Sequence, residues 1–204
     1  MLITFLKAIG LFAVTNIDHL LVLSIFFAHG AKKPHTLRQI LIGQYIGFAA
    51  ILGITIAGAI GSSLLLPSAF APWFGLLPIV IGLRAAINSW RSAHGGEADD
   101  EISESAEKIA QKPLSIMAVA AVTFANGGDE IGVYLPVFVT ASPQEIALYC
   151  GVFLVLVSAV VALARFVTSR PSVAEFLERF EVVLFPAVLI ALGVGIIVSG
   201  LFGV

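Results

Sequence analysis

The chain has 204 residues, of which 59% are hydrophobic and only 12% are Asp, Glu, Lys or Arg, with a formal net charge of −2. A mean hydropathy of +1.04 excludes a soluble domain, whose surface needs far more charge. The lack of apolar–polar alternation argues against a membrane β-barrel, and with no basic patch interleaved with aromatics, nucleic acid is not expected as a partner.

These properties define an all-α membrane protein whose partner is the lipid bilayer. Six segments reach about the 20 residues that cross a bilayer as a helix: Leu2–Ala28, Leu37–Leu66, Pro72–Trp90, Leu114–Thr140, Gln144–Thr168 and Val182–Phe202. The first reads as a retained span rather than a cleaved signal, because its apolar run is too long and Lys7 lies inside it. The second is long enough to tilt, or to bend at Gly53, Gly58 or Gly61. Gln44 and Tyr45 lie near its start, where an interfacial tyrosine is the default reading. Two connections, Ser68–Ala71 and Ala141–Pro143, are short and uncharged. The other three hold or flank every Lys and Arg except Lys7. The positive-inside rule makes that side cytoplasmic and sends both termini outside. The connection before the fourth span carries the acidic run from Glu97 to Glu107 and reads as a solvated linker. The segment Ser172–Glu181 reads as a short amphipathic helix along the cytoplasmic face, with Ser172 as its cap. Cys150, the only cysteine, forms no intramolecular disulfide or CxxC relay and is a poor ligand candidate near the outer end of the fifth span.

The first and fourth spans rhyme. Thr15, Asn16 and Asp18 lie mid-span in one, and Asn126, Asp129 and Glu130 mid-span in the other. The third and sixth share a Pro-led run with a following Gly, at Gly75–Leu83 and Leu184–Gly193. The expected organisation is therefore two inverted three-helix repeats, residues 1–90 and 114–204, joined by a cytoplasmic acidic loop at 91–113. In transporters built this way the site lies near the bilayer midplane.

A charge at the bilayer centre costs about 2.5–3.5 kcal/mol on the gentlest scale. Asp18, Asp129 and Glu130 are the acids at that depth, and no Lys or Arg is expected to match them, Arg84 belonging near the cytoplasmic end of its span. The remaining compensations are protonation or a cation from outside. Gly127 and Gly128 suit a helix interior poorly and predict a break that turns backbone carbonyls toward an ion. The expected metal-ligating set is Thr15, Asn16, Asp18, His19, Asn126, Asp129 and Glu130. Mixed oxygen and nitrogen donors suit Mn²⁺, Zn²⁺ or Cd²⁺. Two blander readings compete: Asn16 and Asn126 as interhelical hydrogen-bond links, and His19 as a simple partner of Asp18 or Asp129. No HExxH pair or nucleophile–base pattern marks an enzyme. No ATP-binding loop is present, so a gradient, with protons as counter-ion, would drive movement. No resident cofactor is expected.

The runs TNIDHLLVL at Thr15–Leu23, GQYIGF at Gly43–Phe48, GLLPIVIGL at Gly75–Leu83 and ANGGDEIGVYLPVF at Ala125–Phe138 resemble the cadmium-resistance transporter family of the lysine-exporter superfamily. The resemblance covers both halves in order. It implies a secondary transporter exporting divalent heavy-metal cations through a bacterial cytoplasmic membrane, with the metal ion as cargo. The lysine-exporter branch suggests the alternative of a small organic cation such as a basic amino acid. A homo-oligomer is compatible with either. The family's motifs read TNIDDL and ANGGDN, so a carboxylate stands at Glu130 in the second half instead of at the position of His19 in the first.

Overall fold

The computed structural model describes residues 2–30, 35–93, 115–169 and 171–202, and among them every regular element is helical. In chain order these are α1 (Leu2–Thr15), α2 (Ile17–Gly30), α3 (Thr36–Leu65), a 3-10 helix η1 (Ser68–Gly75), α4 (Leu76–Ala93), α5 (Ile116–Asn126), α6 (Gly128–Thr140), α7 (Pro143–Val167) and α8 (Pro171–Phe202). Four helical segments are long and apolar enough to cross a membrane: Thr36–Leu65, Ala69–Arg91, Pro143–Val167 and Val183–Phe202. The pair α1 and α2, bent by 54°, makes a fifth if counted as one span. At 11 residues α5 is apolar but too short to cross alone.

The second span stays one helix: α3 has 30 residues, about 45 Å at 1.5 Å per residue, a length that allows tilting in a bilayer. Two expectations change. Tyr45 is not an interfacial anchor; its hydroxyl contacts the Leu154 carbonyl and Ser158 Oγ on α7, at 2.9 and 2.6 Å. The segment Ser172–Glu181 is not a separate surface helix, because α8 continues through it into the last span. Ser172 lies inside the first turn, behind Pro171, whose missing N–H suits the start of a helix. The acidic run at 97–107 lies outside the described residues.

Local chemistry sets the ends. Ser142 and Glu145 form a capping box on α7, with Pro143 in the first turn. Glu145 also accepts a hydrogen bond from Thr4 on α1 at 3.4 Å, which ties the starts of α1 and α7 together. Along their length α1 and α2 both pack on α7, α3 packs on α5 and α6, and α4 packs on α8. The contact of η1 and α4 with α8 brings backbones close: a Cβ on Gly75 at the end of η1 would meet the Gly193 carbonyl at 2.5 Å, and one on Gly82 of α4 the Pro186 carbonyl at 2.9 Å.

Burial divides the interior in two. One apolar cluster gathers Phe12 of α1, Phe48 of α3, Tyr134 and Phe138 of α6, and Tyr149 and Phe153 of α7. Their rings are tilted or edge-on at 4.7–6.5 Å between centroids, apart from the stacked Tyr134–Phe138 pair. The other gathers Leu23 and Phe26 of α2, Ile40 of α3, Val119 and Val122 of α5, and Val161 and Ala164 of α7. The first cluster thus takes α1 and α6, and the second takes α2 and α5. The two helix breaks fall between them.

Candidate functional site

Each break is produced by the residues at it. At the first, Thr15 Oγ1 donates to the Leu11 carbonyl at 3.0 Å and Asn16 Nδ2 to the Phe12 carbonyl at 3.0 Å. Side chains that bond the preceding turn in this way bend helices. At the second, α5 stops at Asn126, and the Gly127 amide bonds Phe124, three residues back, at 3.1 Å. The predicted break at the glycine pair is therefore present. The break at Asn16 was not anticipated, although a Thr-Asn pair inside an apolar run was its signal.

The breaks meet. Tyr134 OH lies 2.7 Å from Thr15 Oγ1 and accepts from Asn16 Nδ2 at 3.1 Å. His19 Nδ1 lies 3.1 Å from Glu130 Oε1 and 3.2 Å from Asn16 Oδ1. The Asn16 amide is oriented by three acceptors, Phe12 O, Thr15 Oγ1 and Tyr134 OH, around its Nδ2. That orientation fixes Asn16 Oδ1 as an acceptor beside His19, which suits the tautomer with its N–H at Nδ1. Nε2 is buried without a hydrogen-bond partner. A histidine that donates one N–H toward an acceptor and leaves the other nitrogen free has the arrangement of a metal-ligating imidazole.

Burial ranks the acids differently from their expected importance. Glu130 is 2% exposed and His19 3%, whereas Asp18 is half-buried and Asp129 exposed. Asp129 lies within electrostatic reach of Asp18 and also of Arg84 on α4, so one basic residue does approach the site. His19 pairs with Glu130, not with Asp18 or Asp129. Asp18 lies in the first turn of α2, and Asp129 and Glu130 in the first turn of α6, where the helix dipoles favour carboxylates.

The unpartnered buried side-chain atoms found among the described residues belong to four residues at or beside the breaks: His19 Nε2, Gln44 Nε2, Asn126 Nδ2 and both Glu130 oxygens. Buried polar groups elsewhere in proteins are almost always satisfied, so this concentration singles out the junction of the breaks as the candidate site. Among the described residues no three His, Cys, Asp or Glu converge closely enough to hold an ion by themselves. Amide or backbone oxygens would have to complete a shell. Sequence reasoning missed Tyr134, whose hydroxyl links the halves, and gave Gln44 a marginal place. The cavity between Ser62, Leu66, Phe74 and Val139 lies about 27 Å along α3 from Gln44 by helix rise and is no part of this site.

Neither the curated proteins nor the solved structures contain a match to the chain. The family model described as cadmium resistance transporter matches residues 12–201, a stretch that includes both breaks and all the side chains just described, and the chain belongs to that family.

Proposed function

We propose that the protein is a secondary transporter, not an enzyme, that exports a divalent heavy-metal cation of the Cd²⁺ class from the cytoplasm. Its site is the junction of the two broken helices, with His19 and Glu130 at the centre and Asn16, Asn126, Asp18, Asp129 and Thr15 around them. The observation that carries this reading is the buried His19–Glu130 contact, which joins α2 to α6 and leaves Nε2 and a carboxylate oxygen free for an ion. An imidazole with carboxylate and amide oxygens suits borderline cations.

We further infer six spans in two inverted three-helix repeats, with α1–α2 and α5–α6 each acting as one broken span. The pairing of elements supports it: α1 and α2 pack on α7 as α5 and α6 pack on α3, while α4 packs on α8. Rocking of one half against the other would open the two apolar clusters in turn, driven by an ion gradient with protons as counter-ion. The test is Cd²⁺ movement in everted vesicles. Asp18→Asn and Asp129→Asn each abolish it while leaving insertion intact, because a neutral amide lowers the insertion penalty. Wild-type efflux in both variants would sink the mechanism.

A further inference from the structure

We propose that Gln44 of α3 is an ion ligand of this site, a carboxamide that turns over to present its oxygen to the passing cation; this rests on the reading of the site just given. Gln44 is 1% exposed. Its Oε1 accepts a hydrogen bond of 2.6 Å from Thr123 Oγ1 on α5, and its Nε2 has no partner. An unsatisfied buried donor carries a desolvation penalty, so this orientation is not the one that best satisfies the side chain.

Its position links it to the site. Thr123, its partner, lies one turn before Asn126 on the same face of α5, and the Thr123 backbone also lies against the His19 ring. Gln44, Thr123, His19 and Glu130 thus form a contiguous polar path from α3 through α5 and α2 to α6. The backbone permits the approach. A Cβ on Gly43 would meet the Ile116 carbonyl at 2.6 Å, and one on Gly47 the Thr123 Cβ at 2.6 Å, so the flanking glycines seat α3 directly on α5 with Gln44 between them.

Chemistry supplies the switch. Rotation of the amide by a half-turn exchanges Oε1 and Nε2. A threonine hydroxyl both donates and accepts, so Thr123 Oγ1 then accepts from Nε2 and the contact is kept in both orientations. The freed Oε1 faces the side where Nε2 is now unpartnered. This offers an oxygen from a third helix, beside the His19–Glu130 contact between α2 and α6.

Calorimetric titration of the purified full-length protein in detergent with Cd²⁺ and with Mn²⁺ tests this, using Gln44→Leu, Gln44→Glu and Glu130→Gln. Leu keeps an apolar side chain of similar size with no donor atom, and the Cd²⁺ dissociation constant is expected to rise about tenfold. Glu places a hard anionic oxygen at the same point, and the Mn²⁺-to-Cd²⁺ affinity ratio is expected to rise about tenfold. A residue that only joins α3 to α5 would not move that ratio, and where Gln44→Leu fails to purify the ratio for Gln44→Glu decides alone. If Glu130→Gln loses Cd²⁺ binding while both Gln44 variants keep wild-type affinity and preference, the site stands and the role of Gln44 is overturned. If Glu130→Gln itself binds Cd²⁺ as the wild type does, the site reading falls first.

Discussion

His19 and Glu130 are the two ionisable side chains in direct contact at the break. His19→Asp would set two carboxylates against each other in a buried site, where like charges oppose ionisation. That variant is expected to lose thermal stability and Cd²⁺ efflux, while His19→Asp with Glu130→Asn recovers both and moves preference from Cd²⁺ toward Mn²⁺. A double-mutant cycle on unfolding in detergent should give a coupling of about 0.5–3 kcal/mol; additive effects would show that the contact is incidental. The sequence marked both residues as candidates but could not pair them. One residue lies in each half, and side-chain spacing within a helix says nothing about which face meets which across the fold.

At the scale of the helix, the breaks have different origins and were unequally legible. Two adjacent glycines announce a weak point because both destabilise a helix interior. The Thr15–Asn16 pair is a fainter signal; the bend arises where the Asn16 amide and the Thr15 hydroxyl bond the preceding turn. The glycines of α3 are likewise alike in sequence and unlike in structure. A Cβ on Gly47 would lie 2.6 Å from Thr123 Cβ and 2.7 Å from the Ala120 carbonyl, whereas one on Gly53 meets nothing within 4 Å. Gly47→Ala must push α3 off α5, and overpacking of this kind destabilises by about 1–3 kcal/mol. Gly53→Ala gains helix propensity and is expected to be neutral or stabilising by up to about 1 kcal/mol. Melting of the two variants in one detergent distinguishes them, and equal shifts would mean that the α3–α5 seam is not packed as described.

For the whole molecule, the polar junction lies between two apolar clusters, the first rich in aromatic rings, closed by α1 and α6 on one side and by α2 and α5 on the other. The rocking motion proposed above requires that each cluster part in turn, and the proposed repeat symmetry would let one motion serve both. The topology is testable in the same terms. In a Cys150→Ser background, single cysteines at Leu2 and Phe202 should both react with an impermeant thiol reagent from outside intact cells. Labelling of only one would place the ends on opposite sides and reduce the count to an odd number of spans. The sequence by itself determined the helical membrane class, the family, the two polar mid-span segments and the glycine break, because the period, length and composition of a span are local and a charge in hydrocarbon is costly wherever it occurs. Only the tertiary structure decided that Glu130 is the buried acid and Asp129 the exposed one, that His19 turns to Glu130, and that Tyr134 and Gln44 belong to the junction. Adjacent residues on a helix point about 100° apart, and which of them faces the interior is set by the helices packed around it.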